Sequence, residues 1–202
     1  MFRNSIIFCA ILAGCGGPAT QISPQVQPQS YPDLLEQYIS CSGKGKINSI
    51  GPIHGTMSFT FMSQRDSSFF QFTDPFGRKA LLMWITPNSV SAWNLIENKQ
   101  YSYAKIIEFF PFLQIVEPAD VTKFLWGIQP DYPKQHGNED AHVFQDIVLE
   151  FGSDALGTEA NALVSAKFLD EKSKQTVKIQ IKDRNRNQSQ IDMKRFWKFH
   201  AS

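Results

Sequence analysis

The chain has 202 residues, of which 42% are hydrophobic and 13% aromatic, and this is enough apolar material for one domain with a substantial core. Its 20 Lys and Arg residues nearly balance its 19 Asp and Glu residues. Nucleic-acid binding requires a basic surplus, so we expect no nucleic-acid partner. The same balance argues against a purely electrostatic attachment to anionic lipid.

The N-terminus predicts a secretory signal followed by lipidation. Arg3 precedes a short apolar run over residues 5–12, which is far below the roughly 20 residues that span a bilayer. The run ends in Leu12-Ala13-Gly14-Cys15, which resembles the lipobox of bacterial lipoproteins. We therefore expect a signal peptide over residues 1–14 and lipid on Cys15. An ordinary signal peptide with an incidental cysteine is the alternative.

A tether and a helix are predicted next. Residues 15–32 carry four prolines and no charge, so we expect a flexible spacer that reaches up to about 50 Å at about 3.1 Å per residue. Residues 33–202 are predicted to form one domain. Asp33 has the character of a helix N-cap, and the helix is expected to run to about Ser40. Its apolar residues at helical spacing are Leu34, Leu35, Tyr38 and Ile39.

Period-two alternation then predicts a series of strands. Four strands are expected in the first half, at residues 53–62, 70–72, 81–85 and 90–93. Turn signals separate them, so an antiparallel arrangement of hairpins follows. Four more strands are expected in the second half, at residues 143–151, 160–169, 177–182 and 191–199. The basic run 182–186 is interpreted as a hairpin tip.

The middle of the chain predicts helices. Residues 104–116 are almost wholly apolar and are interrupted by Pro111. Pro118-Ala119-Asp120 is typical of a helix start, and Gly127 is a suitable stop. The predicted fold class is therefore mostly β (α+β), a curved antiparallel sheet that forms a half-open β-barrel with a helical lid.

The sequence does not predict catalysis. No nucleophile elbow, P-loop or dinucleotide-binding turn is present, and no histidine stands at metal-ligand spacing. We therefore expect no enzyme, no catalytic residue, no metal and no cofactor. Cys41 is the last cysteine left after signal cleavage and lipidation, so we expect no intramolecular disulfide and interpret Cys41 as a small buried hydrophobe.

The apolar excess of the strands and of the central segment has two interpretations. A curved sheet folded over helices could bury all of it as an ordinary core. Alternatively, the sheet and a helical lid could enclose a cavity for an apolar ligand. The residues alone leave both open.

Three local patterns, in the same order, resemble the LolB family of outer-membrane lipoproteins. Phe72-Thr73-Asp74-Pro75-Phe76-Gly77 is similar to a family loop with the pattern T-N-P-L-G. Residues 112–118 and 125–130 are similar to its G-M-P-I-P and W-I-L-G-L-P region. Residues 191–197 are similar to its last strand. The resemblance covers about residues 33–199.

This resemblance implies a half-open β-barrel whose apolar cavity accepts lipoprotein acyl chains from the soluble carrier LolA and releases them into the inner leaflet of the outer membrane. The implied partners are a LolA-like periplasmic carrier, lipoprotein acyl chains and outer-membrane lipid, and we expect a monomer. In enterobacterial lipoproteins an aspartate after the lipidated cysteine retains the protein in the inner membrane. Gly16 stands there, so we expect an outer-membrane anchor with the domain facing the periplasm.

The resemblance also implies site residues. The membrane-insertion loop is expected at Asp74, Pro75, Phe76 and Gly77, with Phe76 in the position of an exposed family leucine. The acyl-chain cavity and lid are expected at Met57, Phe59, Phe61, Phe70, Phe72, Leu81, Met83, Phe109, Phe112, Leu125 and Trp126. Two other functions remain open: a related lipoprotein that carries another amphiphile, and a non-catalytic structural lipoprotein of envelope assembly. Cavity volume separates the last of these from the lipid-binding functions.

Overall fold

The computed structural model describes residues 30–130, 147–153, 162–193 and 195. The predicted signal peptide, Cys15 and nearly all of the predicted tether lie outside these residues. So do residues 143–146, 160–161, 194 and 196–199 of the predicted later strands.

Nine antiparallel strands form one sheet in the order β6-β5-β4-β3-β2-β1-β9-β8-β7. The sheet is curved and is not closed into a barrel, so the predicted fold class is confirmed. The strands are β1 (Ser40–Ile50), β2 (Gly55–Gln64), β3 (Ser67–Thr73), β4 (Lys79–Thr86), β5 (Ser89–Asn94), β6 (Lys99–Tyr101), β7 (Ile147–Ser153), β8 (Leu163–Asp170) and β9 (Gln175–Asn187).

Three α-helices and one 3₁₀ helix complete the described fold. They are α1 (Tyr31–Gln37), α2 (Tyr103–Phe109), the 3₁₀ helix (Pro111–Gln114) and α3 (Pro118–Leu125). Pro118 at the start of α3 and Gly127 after its end confirm the predicted helix, and Gly127 has a φ of +89° that favours glycine. No helix among the described residues has the length and apolar character of a membrane span.

The start of α1 differs from the prediction. Its N-cap is Ser30, whose hydroxyl accepts a hydrogen bond from the Asp33 backbone N–H, while the Asp33 carboxylate accepts one from the Ser30 N–H. Asp33 is therefore the third helical residue of a capping box and not the N-cap. The helix ends at Gln37, because Ser40 already pairs with Gln64 in the sheet.

Strand β1 was not predicted, because its Ser-Cys-Ser-Gly-Lys-Gly-Lys sequence lacks apolar alternation. Two of its glycines lie directly under aromatic rings of β2. A Cβ at Gly43 would stand 2.7 Å from the Phe61 ring, and one at Gly45 would stand 2.4 Å from the Phe59 ring. Hydrogen atoms at these positions let the rings pack on the backbone at the centre of the sheet.

The second half of the chain contains two wrong predictions. Residues 182–186 lie inside β9, and residues 183–186 pair with β1, so the run is not a hairpin tip. The strand predicted from residue 191 is also wrong in its described part, because Ile191 and Asp192 are not in a strand. Instead, the Ile191 N–H donates to the Gln64 side chain at 2.7 Å, and Met193 packs on the outer face of the sheet.

Apolar side chains pack on the two faces of the sheet in two clusters. The large cluster lies on the concave face and includes the buried apolar residues of all helices, so the helices cover that face. A small cluster lies on the convex face around Phe69, Leu82 and Met193. A one-residue change of register would exchange these faces, and the sequence alone did not specify which face is covered.

The two ends of the sheet carry different connections. The turns β1–β2, β3–β4, β5–β6 and β8–β9 lie at one end. The turns β2–β3 and β4–β5 lie at the other end, where α1 also leads into the start of β1.

Candidate functional site

Two apolar pockets lie between the concave face and the helices. The β1–β4 pocket is lined by Ile47, Phe59, Phe70, Phe72, Met83, Ile85, Phe110, Phe112, Leu113, Val121, Phe124, Leu125 and Ile179. The β7–β9 pocket is lined by Phe112, Val116, Asp120, Val121, Phe124, Pro130, Leu149, Phe151, Ala166, Phe168, Val177 and Ile179.

Four side chains belong to both linings and separate the two pockets. These are Phe112, Val121, Phe124 and Ile179. Phe124 also contacts Phe151 with ring centroids 6.2 Å apart. The two pockets are therefore parts of one apolar interior that is divided by side chains and not by backbone.

Each pocket has a volume of about 30 Å³. Given the volume that one water molecule requires, each pocket has room for roughly two water molecules. A fatty acyl chain is many times larger, so it enters only if the helices move away from the sheet. The lining is suited to apolar groups, with Asp120 as its charged member, and the Asp120 carboxylate is paired with Lys123 Nζ at 2.8 Å.

Helix α3 is attached to the sheet through its carboxyl end. Arg184 of β9 donates from Nε to the Leu125 carbonyl at 2.7 Å and from Nη2 to the Leu163 carbonyl. Arg186 donates to the Trp126 carbonyl at 2.6 Å. The last carbonyls of a helix have no partner within it, so these arginines satisfy groups that would otherwise be buried without hydrogen bonds.

Polar side chains of β2 and β3 hold the other side of α3. The Trp126 indole N–H donates to Ser63 Oγ at 2.8 Å, and Trp126 is fully buried. The Ser68 hydroxyl lies 2.9 Å from the Thr122 hydroxyl and 3.1 Å from Ser63 Oγ. Buried hydroxyls that satisfy one another fix the position of a helix more sharply than apolar packing does.

The segment of residues 103–116, which contains α2 and the 3₁₀ helix, is attached differently. Its buried side chains Ile106, Phe110, Phe112, Leu113 and Ile115 pack on the concave cluster. Among the described residues, the side-chain hydrogen bonds of this segment stay within α2 and its cap. The segment therefore covers the β1–β4 pocket through apolar contacts that have no strict direction.

The β3–β4 loop, residues 74–78, presents Phe76 to solvent with 85% of its surface exposed. Asp74 Oδ1 accepts hydrogen bonds from the N–H groups of Phe76 and Arg78, each at 2.9 Å, and Oδ2 accepts from the Arg78 guanidinium. Burial acts to raise the pKa of Asp74, but these hydrogen bonds outweigh it and lower the pKa. Gly77 has a φ of +83°, which a residue with a side chain rarely adopts.

The structure places the predicted cavity residues in two groups. Six of them line the β1–β4 pocket: Phe59, Phe70, Phe72, Met83, Phe112 and Leu125. The other five lie outside both linings. Phe61 and Leu81 are buried in the core, Met57 and Phe109 are half-buried at its edge, and Trp126 is used to hold α3.

The sequence did not predict the β7–β9 pocket or the four side chains that separate the two pockets. Val121 and Phe124 stand at helical spacing after Pro118, so their common helix face was a usable signal. The Arg184 and Arg186 contacts had no such signal, because the carbonyls that they bind lie about 60 residues earlier in the chain. Among the described residues no cluster of His, Cys, Asp or Glu is placed to hold a metal ion.

The fold and the site together define a curved antiparallel sheet whose apolar concave face is covered by helices. The chain is similar in structure to a LolA superfamily protein from Nitrosomonas europaea, with 9% sequence identity and a TM-score of 0.36. The alignment covers 82% of this chain and 96% of that chain. No family model matches the chain, and no curated protein matches its sequence.

Proposed function

We propose that this protein is a LolB-like lipoprotein of the outer membrane that accepts other lipoproteins from a soluble periplasmic carrier and inserts them into the inner leaflet. The observation that carries the proposal is the exposed Phe76 on a loop that Asp74 and Arg78 hold in one conformation. Phe76 has the largest exposed fraction among the large hydrophobic residues that the structure describes, so its ring is available to contact lipid or another protein.

In this proposal the interior receives the acyl chains. An acyl chain in water is unfavourable, so it must pass from one shielded site to another. The residue 103–116 segment moves away from the concave face while α3 stays attached, and the two pockets join into one cavity. The apolar contacts of the segment make this opening possible without breaking a hydrogen bond to the sheet.

Phe76 acts after acceptance. Burial of a phenylalanine side chain in lipid contributes about 1.5–3 kcal/mol, so the loop holds the loaded domain against the bilayer while the acyl chains leave. Lipid on Cys15 keeps the domain at the membrane where cargo is delivered. The chemistry is binding and transfer, and it requires no catalytic residue.

The experiment that tests the proposal follows a radiolabelled lipoprotein from a purified LolA-like carrier to this protein and then to vesicles. Wild type is expected to take up the label and release it into lipid. Phe76→Glu is expected to accept label as wild type does and to release at least tenfold less of it. Phe76→Leu is the matched control and is expected to release normally. Normal release by Phe76→Glu contradicts the role assigned to the loop.

A second candidate function is a structural lipoprotein of envelope assembly whose apolar faces form only a core. The pocket volume of about 30 Å³ favours it, because the interior is nearly filled. Titration with a fluorescent long-chain fatty acid separates the two. Saturable binding that Val121→Trp abolishes supports the acceptor, whereas no binding by the folded protein supports the structural function. Binding of the probe without uptake of lipoprotein indicates a carrier of another amphiphile.

A further inference from the structure

Three of the turns at one end of the sheet each expose a large apolar side chain. Ile50 of the β1–β2 turn is 60% exposed, Phe76 of the β3–β4 loop is 85% exposed, and Ile96 of the β5–β6 turn is 61% exposed. These are the three most exposed large hydrophobic residues of the described chain. We call them the apolar rim.

The strand order spaces the three side chains along this end. Each turn of the rim lies two strands from the next, and neighbouring strands are about 4.8 Å apart, so adjacent turns are about 10 Å apart. The register staggers these turns along the sheet. Ser49 pairs with Gly55 and Thr73 pairs with Ser58, so the β1–β2 turn begins three residues, or about 10 Å, further out than the loop of Phe76.

A polar side chain with little exposed surface holds each turn of the rim. Asp74 binds the N–H groups on both sides of Gly77. Asn94 Oδ1 accepts from the Ile96 N–H at 2.9 Å. Gln175 donates to the Ile53 carbonyl at 2.8 Å and accepts from the Ile53 N–H at 3.1 Å. Three exposed apolar residues are thus displayed on three turns that are ordered by separate contacts.

The rim turns carry charges of both signs, and the opposite end of the sheet is different. Arg78, Lys79 and Lys99 are exposed on the rim turns, where Arg78 pairs with Asp74 and Lys99 pairs with Glu97. At the opposite end, the β2–β3 turn carries Arg65 and Asp66, and the β4–β5 turn carries Pro87 and Asn88. Exposed apolar residues beside charged side chains are suited to a boundary where acyl chains meet polar headgroups.

We propose that the apolar rim is a three-point contact surface for a phospholipid bilayer, in which Ile50 and Ile96 enter the lipid beside Phe76. The role of Phe76 rests on the function proposed above. The roles of Ile50 and Ile96 are inferred from their exposure on turns at the same end of the sheet. Protein interfaces are built around a contiguous, desolvated core. Three apolar side chains about 10 Å apart, with charged residues between them, fit a soft lipid surface instead.

The test measures the depth of each rim position in lipid. The full chain is reconstituted in vesicles of phosphatidylethanolamine and phosphatidylglycerol, with a nitroxide on a single introduced cysteine at position 50, 76, 96 or 88. Cys41 is fully buried, so labelling of the folded protein is directed to the introduced residue. Nitroxides at positions 50, 76 and 96 are expected to collide more often with oxygen than with a water-soluble nickel chelate, which indicates that they lie in lipid. Position 88, at the opposite end, is the control and is expected to remain aqueous.

A second measurement uses cargo release with Phe76 intact. The double variant Ile50→Ser/Ile96→Ser is expected to release at least tenfold less lipoprotein into vesicles, because two apolar contacts with lipid are lost. Ile39→Ser is the matched control, since Ile39 is an exposed isoleucine at the opposite end and its replacement is expected to leave release unchanged.

The outcomes separate this inference from the proposed function. Aqueous nitroxides at positions 50 and 96 overturn the inference even if lipoprotein transfer proceeds. Aqueous nitroxides that become protected when the purified carrier is added also overturn it, since the rim would then bind a protein. Lipid exposure at all three positions without any lipoprotein transfer supports the inference and overturns the proposed function.

Discussion

Two helical regions cover the same concave face of the sheet by different physical means. Helix α3 is held by hydrogen bonds that Arg184 and Arg186 donate to the carbonyls at its end. The Trp126 indole also donates to Ser63, and the Thr122 and Ser68 hydroxyls bind each other. The residue 103–116 segment packs through apolar side chains, and its described side-chain hydrogen bonds stay within α2 and its cap. Hydrogen bonds lose their strength steeply with distance and angle, whereas apolar contact tolerates sliding.

The difference indicates which region is fixed and which one can move. Displacing α3 would leave several buried carbonyls and hydroxyls without partners, and each costs about 1–3 kcal/mol. Displacing the residue 103–116 segment exposes apolar surface, and an acyl chain in the opened interior would cover that surface again. A ligand can therefore offset the cost of moving the segment but not the cost of moving α3.

The largest expected effect is at Trp126. Trp126→Ala removes a fully buried indole and its hydrogen bond to Ser63, and the free energy of unfolding is expected to fall by about 3–5 kcal/mol. Urea denaturation measures this change in the free energy of unfolding. Trp93→Ala on the convex face removes a half-buried indole and is expected to cost about half as much. Equal costs would contradict the special attachment of α3.

A smaller effect is expected at Arg184. Arg184→Met keeps the length of the side chain but leaves the carbonyls of Leu125 and Leu163 without this donor, at a cost of about 1–3 kcal/mol. Hydrogen exchange of the α3 amides is expected to accelerate together with the loss of stability. Lys182→Met, on the same strand and exposed, serves as the control and is expected to change stability by less than about 0.5 kcal/mol. Unchanged α3 exchange in Arg184→Met would show that the arginine does not hold the helix.

The smallest effect is expected on α2. Lys105 and Glu108 form an exposed ion pair one turn apart within the helix, so Glu108→Gln is expected to cost at most about 0.5 kcal/mol. Urea denaturation in low and in high salt measures this loss of stability. A cost above about 1 kcal/mol would reveal a polar attachment between this segment and the sheet, and the contrast between the two regions would not hold.

Much of the fold could be predicted from local pattern. Strand β2 alternates apolar and polar residues, β4 is a short apolar run between turn signals, and α3 begins with proline and is followed by glycine, so each of these elements carries its own signal. Strand β1 carries none. Its Gly43 and Gly45 are explained only by the rings of Phe61 and Phe59 that pack on them, and these rings belong to another strand.

The site was predictable only in part, for the same reason. Three of the thirteen residues that line the β1–β4 pocket are aromatic residues of strands with apolar alternation, Phe59, Phe70 and Phe72, and the sequence points to them directly. The basic run 182–186 of β9 predicts a hairpin tip, because a run of charge is usually exposed. Only the paired strand and the nearby helix end show that Arg184 and Arg186 have partners inside the molecule. Contacts between distant parts of a chain leave no local pattern.

The entry of the chain at the end of the sheet opposite the apolar rim has a consequence for orientation. Strand β1 has eleven residues, so the domain extends about 36 Å from its entry point to the rim. Ser30 lies fifteen residues after Cys15, which is a reach of about 46 Å when extended. In the proposed function, where lipid on Cys15 is the anchor, the predicted tether is long enough to run beside the whole domain. We therefore infer that the molecule stands inverted over this anchor, with the start of β1 facing away from the membrane and the rim facing toward it.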